Sequence, residues 1–453
     1  MKSAPDFNWK DAEGEATALL QSLMRVDTTN PPGDEIKAAK VLAASLKEDG
    51  IESELIESAP GRANLIARLE SNVATPPLLM AGHLDVVPAG DLSRWTHPPF
   101  GGVLADGMIW GRGAIDMKNM VAMSAMVIKL LRRHDVPLRR DIILAAVADE
   151  EQGCNFGSRF LVEKHPEKVR AGWGLGEVGG FPTMAGKARI MPVQTAEKGV
   201  CWFRLKTRGT PGHGSMPRPD SAVIKLAVAL KKLGETPLPM HVMPVVDNFI
   251  RSVARLQPIP DRFVLPQILN PRLSRIILER VFPDKERGKL FATLMRNTVS
   301  PTVLRAGQKT NVIPDVASVE IDGRLVPGQT SAQLFAEVRQ VVGNDVELEV
   351  INEAPGVVNE PAESELLNHI RRAVKFSHPD LPVVPYMIPG FTDGAYFSRL
   401  GARWYGFSPV WLRPELGLNF ADLFHGFDER IPEDGYHWGL RTLHRVVQGF
   451  AGK

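Results

Sequence analysis

Residues 142–153 read Ile-Ile-Leu-Ala-Ala-Val-Ala-Asp-Glu-Glu-Gln-Gly. The run Ile142 to Ala148 is continuously apolar, with no polar residue alternating through it. Such a run fits a strand buried on both faces, as in a parallel sheet covered by helices. It ends abruptly in Asp149, Glu150 and Glu151. Adjacent carboxylates at a buried strand end repel one another, and a nearby cation removes that cost. Neighbouring side chains also point differently, so one carboxylate can ligate while the other stays free as a base. The plain alternative is a solvated acidic loop. The apolar strand feeding the loop favours function, because open α/β sheets bind ligands outside the carboxyl ends of their strands.

Working outward, strands and helices alternate. Short apolar runs lie at 62–69 and 77–82, and helices are expected at 11–28, 34–49, 117–133 and 157–164, with a strand at 172–176. The second helix follows Asn30-Pro31-Pro32-Gly33, a loop punctuated by prolines. Near 193 the character changes. Segments 199–208 and 316–325 alternate apolar and polar residues, the mark of half-solvated antiparallel strands. Helices at 220–233 and 330–342 accompany them, and 236–299 is expected to hold several more. After 360 the first pattern returns, with helix 362–376, strands 382–387 and 402–407, and helix 435–449. The expected fold class is α/β: a discontinuous catalytic domain (1–192 and 356–453) with a mostly parallel, helix-flanked sheet. An α+β lid or dimerisation domain (193–355) is inserted in it.

Composition narrows the function classes. Among 453 residues, 44% are hydrophobic and 23% charged, which supports an ordinary soluble core. The 54 Lys and Arg nearly balance the 52 Asp and Glu, so no basic footprint for nucleic acid is present. No window approaches eighteen consecutive apolar residues, so no membrane helix is expected. The N-terminal segment lacks the apolar stretch of a signal peptide, and a cytoplasmic, reducing location is expected. Cys154 and Cys201, the only cysteines, form no CxxC and are expected to be buried thiols.

Four more sites carry chemistry. In Gly82-His83-Leu84-Asp85, the two-residue period of a strand puts His83 and Asp85 on one side. His83 could then bind a metal while Asp85 fixes its tautomer. Asp116, in Gly111-Arg112-Gly113-Ala114-Ile115-Asp116-Met117-Lys118, stands just before a long helix. It reads as an N-cap or as a carboxylate bridging two metals, and both can hold, because a helix N-terminus also favours a carboxylate. Glu177 ends the strand Trp173-Gly174-Leu175-Gly176, and His425 lies in the loop 425–431, HGFDERI. Each of these two is unremarkable alone.

The ordered set is specific. GHLDVVP, GRGAIDMK, DEEQG, Glu177, GTPGHGS, TNVIPD, DGR and HGFDERI occur in succession. The chain resembles the dinuclear zinc amidohydrolases that include aminoacylase, acetylornithine deacetylase, succinyl-diaminopimelate desuccinylase, carboxypeptidase S and glutamate carboxypeptidase. The resemblance implies that His83, Asp116 and Glu177 hold one metal, and Asp116, Glu151 and His425 the other. It implies Glu150 as general base and Asp85 as the residue orienting His83. The ligands are nitrogen and oxygen only, which suits zinc and also cobalt or manganese. His213 is expected to stabilise the oxyanion, reaching the partner subunit of a homodimer formed through the lid. Asn311 and Arg324 resemble substrate contacts, Arg324 as a fork for a carboxylate. Gly390 resembles a loop glycine that lets substrate approach the backbone.

These expectations describe hydrolysis of an amide in an N-acyl amino acid or small peptide with a free carboxylate. A dipeptidase or carboxypeptidase shares the same requirements, and a non-catalytic binding protein on this fold is the alternative from another class. His213 and Asn311 stand 98 positions apart, separated by the apolar runs FIRSVARL (249–256), FVLPQIL (263–269) and LSRIILERVF (273–282). That resembles the extended lids of aminoacylase and carboxypeptidase S. The segment either shapes an apolar pocket for aliphatic, aromatic or long acyl groups or enlarges the lid core. A serine hydrolase is disfavoured, since no GxSxG elbow occurs.

Overall fold

A computed structural model describes residues 8–281, 285–359, 363–418 and 420–453. Residues 1–7, Phe282 at the end of the last apolar run, and position 362 of an expected helix lie outside the described residues. The chain divides into two compact units. One comprises Met1–Thr195, Asn359–Pro385 and Thr392–Lys453; the other comprises Ala196–Val358 and Tyr386–Phe391.

The first unit is built on the apolar runs. Ile142–Val147 and Leu78–His83 are buried at every position and pair in parallel, Leu78 opposite Ile142 and His83 opposite Val147. Through this unit the sheet runs in the order Ser53–Ala59, Arg62–Leu69, Ile142–Val147, Leu78–His83, Trp173–Gly176, Arg403–Gly406 and Ala188–Glu197. The middle four strands are mutually parallel, and the flanking pairs are antiparallel. The fold is therefore the expected mixed α/β class with a mainly parallel centre. Helix Lys118–Arg133 connects two of these strands and packs against Leu78–His83 and against helices Trp9–Met24 and Glu433–Ala451. Its first residue, Lys118, is fully buried and donates from Nζ to the carbonyls of Leu23 and Val26, at 3.1 and 2.9 Å.

In the second unit the alternating segments pair. Gly199–Arg208 and Val316–Leu325 are antiparallel in continuous register, from Gly199 opposite Leu325 to Arg208 opposite Val316. Thr298–Ala306 and Glu347–Ala354 complete a four-stranded sheet. Its apolar side shares one core with helices Ala222–Glu235 and Ser331–Val342. Segment 236–299 is helical in pieces: Pro244–Arg255, Asp261–Val264, Pro271–Ile276 and Lys285–Leu294, joined by tighter turns. Pro244 and Pro271 start two of these helices, because a proline at the first turn lacks only a donor that would be unused there.

One close approach makes a test. A Cβ at Gly157, just before helix Ser158–Lys164, would lie 1.7 Å from the carbonyl oxygen of Ala148. Backbone cannot yield as a side chain can. Gly157→Ala should lower stability by about 1–3 kcal/mol, read as a shift in the denaturant midpoint. An unchanged midpoint would contradict this packing.

Candidate metal centre and active site

Three neighbouring parallel strands end at one edge of the sheet, and each delivers chemistry there. Leu78–His83 ends in His83 itself. Ile142–Val147 runs into Asp149, Glu150 and Glu151, the last two in a single 3-10 turn. Trp173–Gly176 is followed at once by Glu177. Asp116 and His425 come from loops.

His83 is fully buried. Its Nδ1 lies 2.9 Å from the backbone carbonyl of Asp85, and the Asp85 carboxylate stands farther off at 3.6 Å. A carbonyl can only accept, so Nδ1 carries the proton and the Nε2 lone pair is left for a cation. The Asp85 carboxylate is engaged elsewhere: it accepts the backbone N–H groups of Glu150 and Glu151, both at 3.1 Å.

His83 Nε2 faces Asp116 Oδ1 at 3.0 Å and Glu177 Oε2 at 3.7 Å. The other oxygen, Asp116 Oδ2, lies 3.3 Å from His425 Nε2, which also meets Glu151 at 3.1 Å. One carboxylate therefore spans two histidines, each of which has a second carboxylate of its own. Candidate ligand atoms of His83, Asp116 and Glu151 lie within 4.8 Å of one another, as do those of His83, Glu150 and Glu177. Asp116 is not the helix N-cap: Met117 holds that position, and no side chain caps the helix. Asp116 is held from behind instead. Its N–H and that of Ile115 donate to Glu429 Oε1 at 3.1 and 2.8 Å, and Arg112 closes the group on Glu429 Oε2 at 2.7 Å.

The electrostatics ask for a cation. Among the described residues, no Lys or Arg forms an ion pair with Asp116, Glu150, Glu151 or Glu177. Glu177 Oε1 is buried with no hydrogen-bond partner. Burial, reinforced by the charge of Glu177, pushes Glu150 well above the carboxylate range. Burial, partly offset by His83, pushes Glu177 up to about 7. Hydrogen bonds with Asp116 and Glu151 hold His425 up to about 10 despite its burial. Burial would raise Asp116 too, but its contacts with both histidines outweigh that and keep it below the usual range. Two histidines and four carboxylates, with an orphaned buried oxygen, form a donor set that fits divalent cations.

The second unit gathers the remaining candidates. Gly212-His213 pairs antiparallel with Val312-Ile313, and Gly214 N–H donates to the Asn311 carbonyl at 2.9 Å. His213 and Asn311, distant in sequence, are thus neighbours. His213 is exposed, and its Nδ1 accepts from the Ser215 backbone N–H at 3.2 Å, with Ser215 Oγ at 2.8 Å. Accepting at Nδ1 leaves the proton on Nε2, free to donate. Arg324 is already engaged: its Nε and Nη2 donate to Asp322 Oδ1 and Oδ2 at 2.8 and 3.0 Å. Trp202 donates to the same Asp322. Gly390 also lies in the second unit, and a Cβ there would meet only Ile388 at 3.9 Å. Space alone therefore does not require glycine at 390.

Comparison with known proteins settles the lineage. Residues 79–449 match the description of peptidase family M20/M25/M40. The chain belongs to this family. It is a metallohydrolase of the M20 type. It is 28% identical to human N-fatty-acyl-amino acid synthase/hydrolase PM20D1, over 90% of this chain and 80% of that protein. It is 27% identical to pig aminoacylase-1, over 98% and 97% of the respective chains. The solved M20 metallo-carboxypeptidase Sso-CP2 of Sulfolobus solfataricus shares the fold, with a TM-score of 0.72 at 19% identity, covering 96% of this chain and 98% of that one.

Two residues that brace the candidates, one in each unit, carry little signal in the sequence. Glu429 lies inside HGFDERI. Its only signal is an acid four positions beyond the loop histidine. The signal for Asp322 is its position, two residues before Arg324 on a strand and so on the same side.

Cation binding at this site must displace protons from Glu177 and from the histidines. Glu177 holds its proton up to about 7 and His425 up to about 10, so affinity should rise with pH across that window. Calorimetric titration with zinc chloride near pH 7, repeated in buffers of differing ionisation heat, should show net proton release. No release, or uptake, would contradict the assignment.

Proposed function

We propose that this chain hydrolyses the amide bond of N-acyl amino acids bearing a free carboxylate. The observation that supports this most strongly is the gathering of four carboxylates and two histidines with no cationic side chain among them. His83, Asp116 and Glu177 would hold one divalent cation, and Asp116, Glu151 and His425 a second, with zinc the best match to the donors. Such a pair, when bound, acidifies a water and polarises a carbonyl.

The chain's own residues do the rest. Glu150, half-buried and disposed to hold a proton, takes one from the attacking water and passes it to the leaving amine. His213, with its proton directed to Nε2 by Ser215, donates to the developing oxyanion. Arg324 and Asn311 bind the substrate carboxylate. Arg324 does so in competition with Asp322, which leaves Nη1 as its uncommitted nitrogen. In this reading His213 serves the site of a partner subunit, the dimer forming through the second unit, and the enzyme works in a reducing compartment where Cys154 and Cys201 stay free.

The names of two relatives, one acting on N-fatty-acyl amino acids and one an aminoacylase, support an acylase with tolerance for apolar acyl groups. The apolar helices of 236–299 suit that preference. A dipeptidase or carboxypeptidase uses the same cations and base, and a substrate panel separates the readings. Metal-reconstituted protein would be offered N-acyl amino acids of increasing chain length beside dipeptides. Faster turnover of long-chain acyl substrates is expected, and exclusive cleavage of dipeptides would reject the acylase reading.

Glu150→Gln should lower kcat by roughly 10²–10⁴-fold with the cation content of the protein unchanged. Retained turnover would reject Glu150 as the base.

A further inference from the structure

A continuous series of buried polar side chains leads away from the Glu150–Glu151 turn. It starts at Asp85, whose carboxylate accepts the N–H groups of Glu150 and Glu151. Asp85 Oδ2 also accepts from Asn30 Nδ2 at 2.9 Å. The same Asn30 nitrogen donates to Asp149 Oδ1 at 3.0 Å. Arg62 Nη2 donates to that Asp149 oxygen at 2.9 Å. Its Nε and Nη2 also donate to the two oxygens of Glu35, each at 2.7 Å. Asn30, Glu35, Arg62, Asp85 and Asp149 are all buried.

Two anchors thus hold one turn. Asp85 grips its amides, and Asp149 is its root, immediately before Glu150. Asp149 sits in the left-handed region at φ 67°, which a side chain adopts only where its surroundings hold it. Its carboxylate supplies that hold through Asn30, Arg62 and the Phe156 N–H at 3.1 Å. Asn30 is the member that joins the anchors. Its amino group lies between the Asp85 and Asp149 carboxylates, which would otherwise repel at close range in a buried setting. Both amide hydrogens are spent there, so the orientation of the Asn30 amide is fixed by its partners.

The Asn30 backbone is itself pinned. Its N–H donates to the Val86 carbonyl at 2.9 Å, and Thr28 Oγ1 donates to the Leu84 carbonyl at 2.6 Å. The segment before the prolines is therefore stitched to the loop that carries Asp85. Gly33, at φ 96°, makes room for the outer end of the series. A Cβ there would lie 2.3 Å from Arg62 Nε.

We propose that Asn30 is a positioning residue for hydrolysis, with Arg62 behind it. By joining Asp85 to Asp149, Asn30 sets where the general base Glu150 and the ligand Glu151 stand. The effect on turnover rests on the function proposed above. The effect on the turn itself does not.

The test uses the full-length protein with Asn30→Asp, which keeps the shape but exchanges two donors for a third carboxylate, and with Asn30→Ser. Leu19→Ala, a core truncation far from the turn in sequence, controls for general destabilisation. In metal-free protein below its melting transition, hydrogen exchange of the 149–153 amides should accelerate roughly tenfold or more in the Asn30 variants, while strand 142–147 stays protected. In metal-loaded protein, kcat on the best N-acyl amino acid should fall about 10–100-fold with KM within about threefold. Leu19→Ala should show neither change at matched distance from its own melting point. An Asn30 variant with wild-type protection at 149–153 and wild-type kcat would overturn the proposal. If Asn30→Asp does not fold, Asn30→Ser decides by the same readouts. If the wild-type protein cleaves nothing in the substrate panel, the amidase reading fails, and exchange at 149–153 still judges the positioning role.

Discussion

Like charges held close in a buried place are the constraint on which this molecule turns. Asp116, Glu150, Glu151 and Glu177 converge where three buried parallel strands end, and among the described residues only His83 and His425 pair with them. In water such a group would spread apart. Here the sheet forbids it, because His83, Glu150–Glu151 and Glu177 follow strands locked in register with one another. Without a cation, burial and then the neighbouring carboxylates push Glu150 and Glu177 up, while the carboxylates facing them raise both histidines. With a cation the same atoms become a ligand set. Protonation and metal binding are two answers to one electrostatic problem.

How much of this the sequence reveals depends on the length and burial of each element. The strand Ile142–Val147 and the helix Lys118–Arg133 are legible because their apolar residues have nowhere to go but a core. The pair Gly199–Arg208 and Val316–Leu325 is legible because one face is wet and the alternation survives. Three-residue strands are not. Val103–Ala105, Met108–Trp110 and Arg430–Pro432 form a sheet of their own, too short for any period, with one strand supplied from far along the chain. Ser53–Ala59 escapes notice because it borders the sheet edge and carries charge along its exposed side.

The candidate site shows the same division. Residue types and their order are visible in sequence. The atoms through which they act are not. Asp85 is expected to orient His83 through its carboxylate, yet it is the Asp85 carbonyl that meets Nδ1, because the strand stops at His83 and the carboxylate turns to the amides of the next loop. Arg324 is where a carboxylate clamp is expected, but Asp322 already fills much of its fork. His213 and Asn311 look remote in sequence and meet only because Gly212–His213 and Val312–Ile313 pair. Hydrogen-bond partners are chosen by three-dimensional competition, which no local pattern records.

A site of this kind has to be built from outside, since its candidate ligands repel one another and cannot hold their own places. That explains where the buried polar residues of the first unit are spent. Glu429, braced by Arg112, fixes the backbone of Asp116. Asp85 fixes the amides of Glu150 and Glu151, and Arg62 and Asn30 fix Asp149 beneath them. In each case a buried carboxylate accepts backbone N–H groups, and a guanidinium or amide on its far side supports it. A carboxylate used this way grips main chain, so it orders the loop without entering the ligand set. The supporting guanidiniums pair with Glu429, Glu35 and Asp149 and form no ion pair with the cluster itself, so they brace it without neutralising it, and the demand for a cation survives. A lysine or arginine placed inside the cluster would stabilise the fold more directly, but it would also occupy the space and the charge that the chemistry requires.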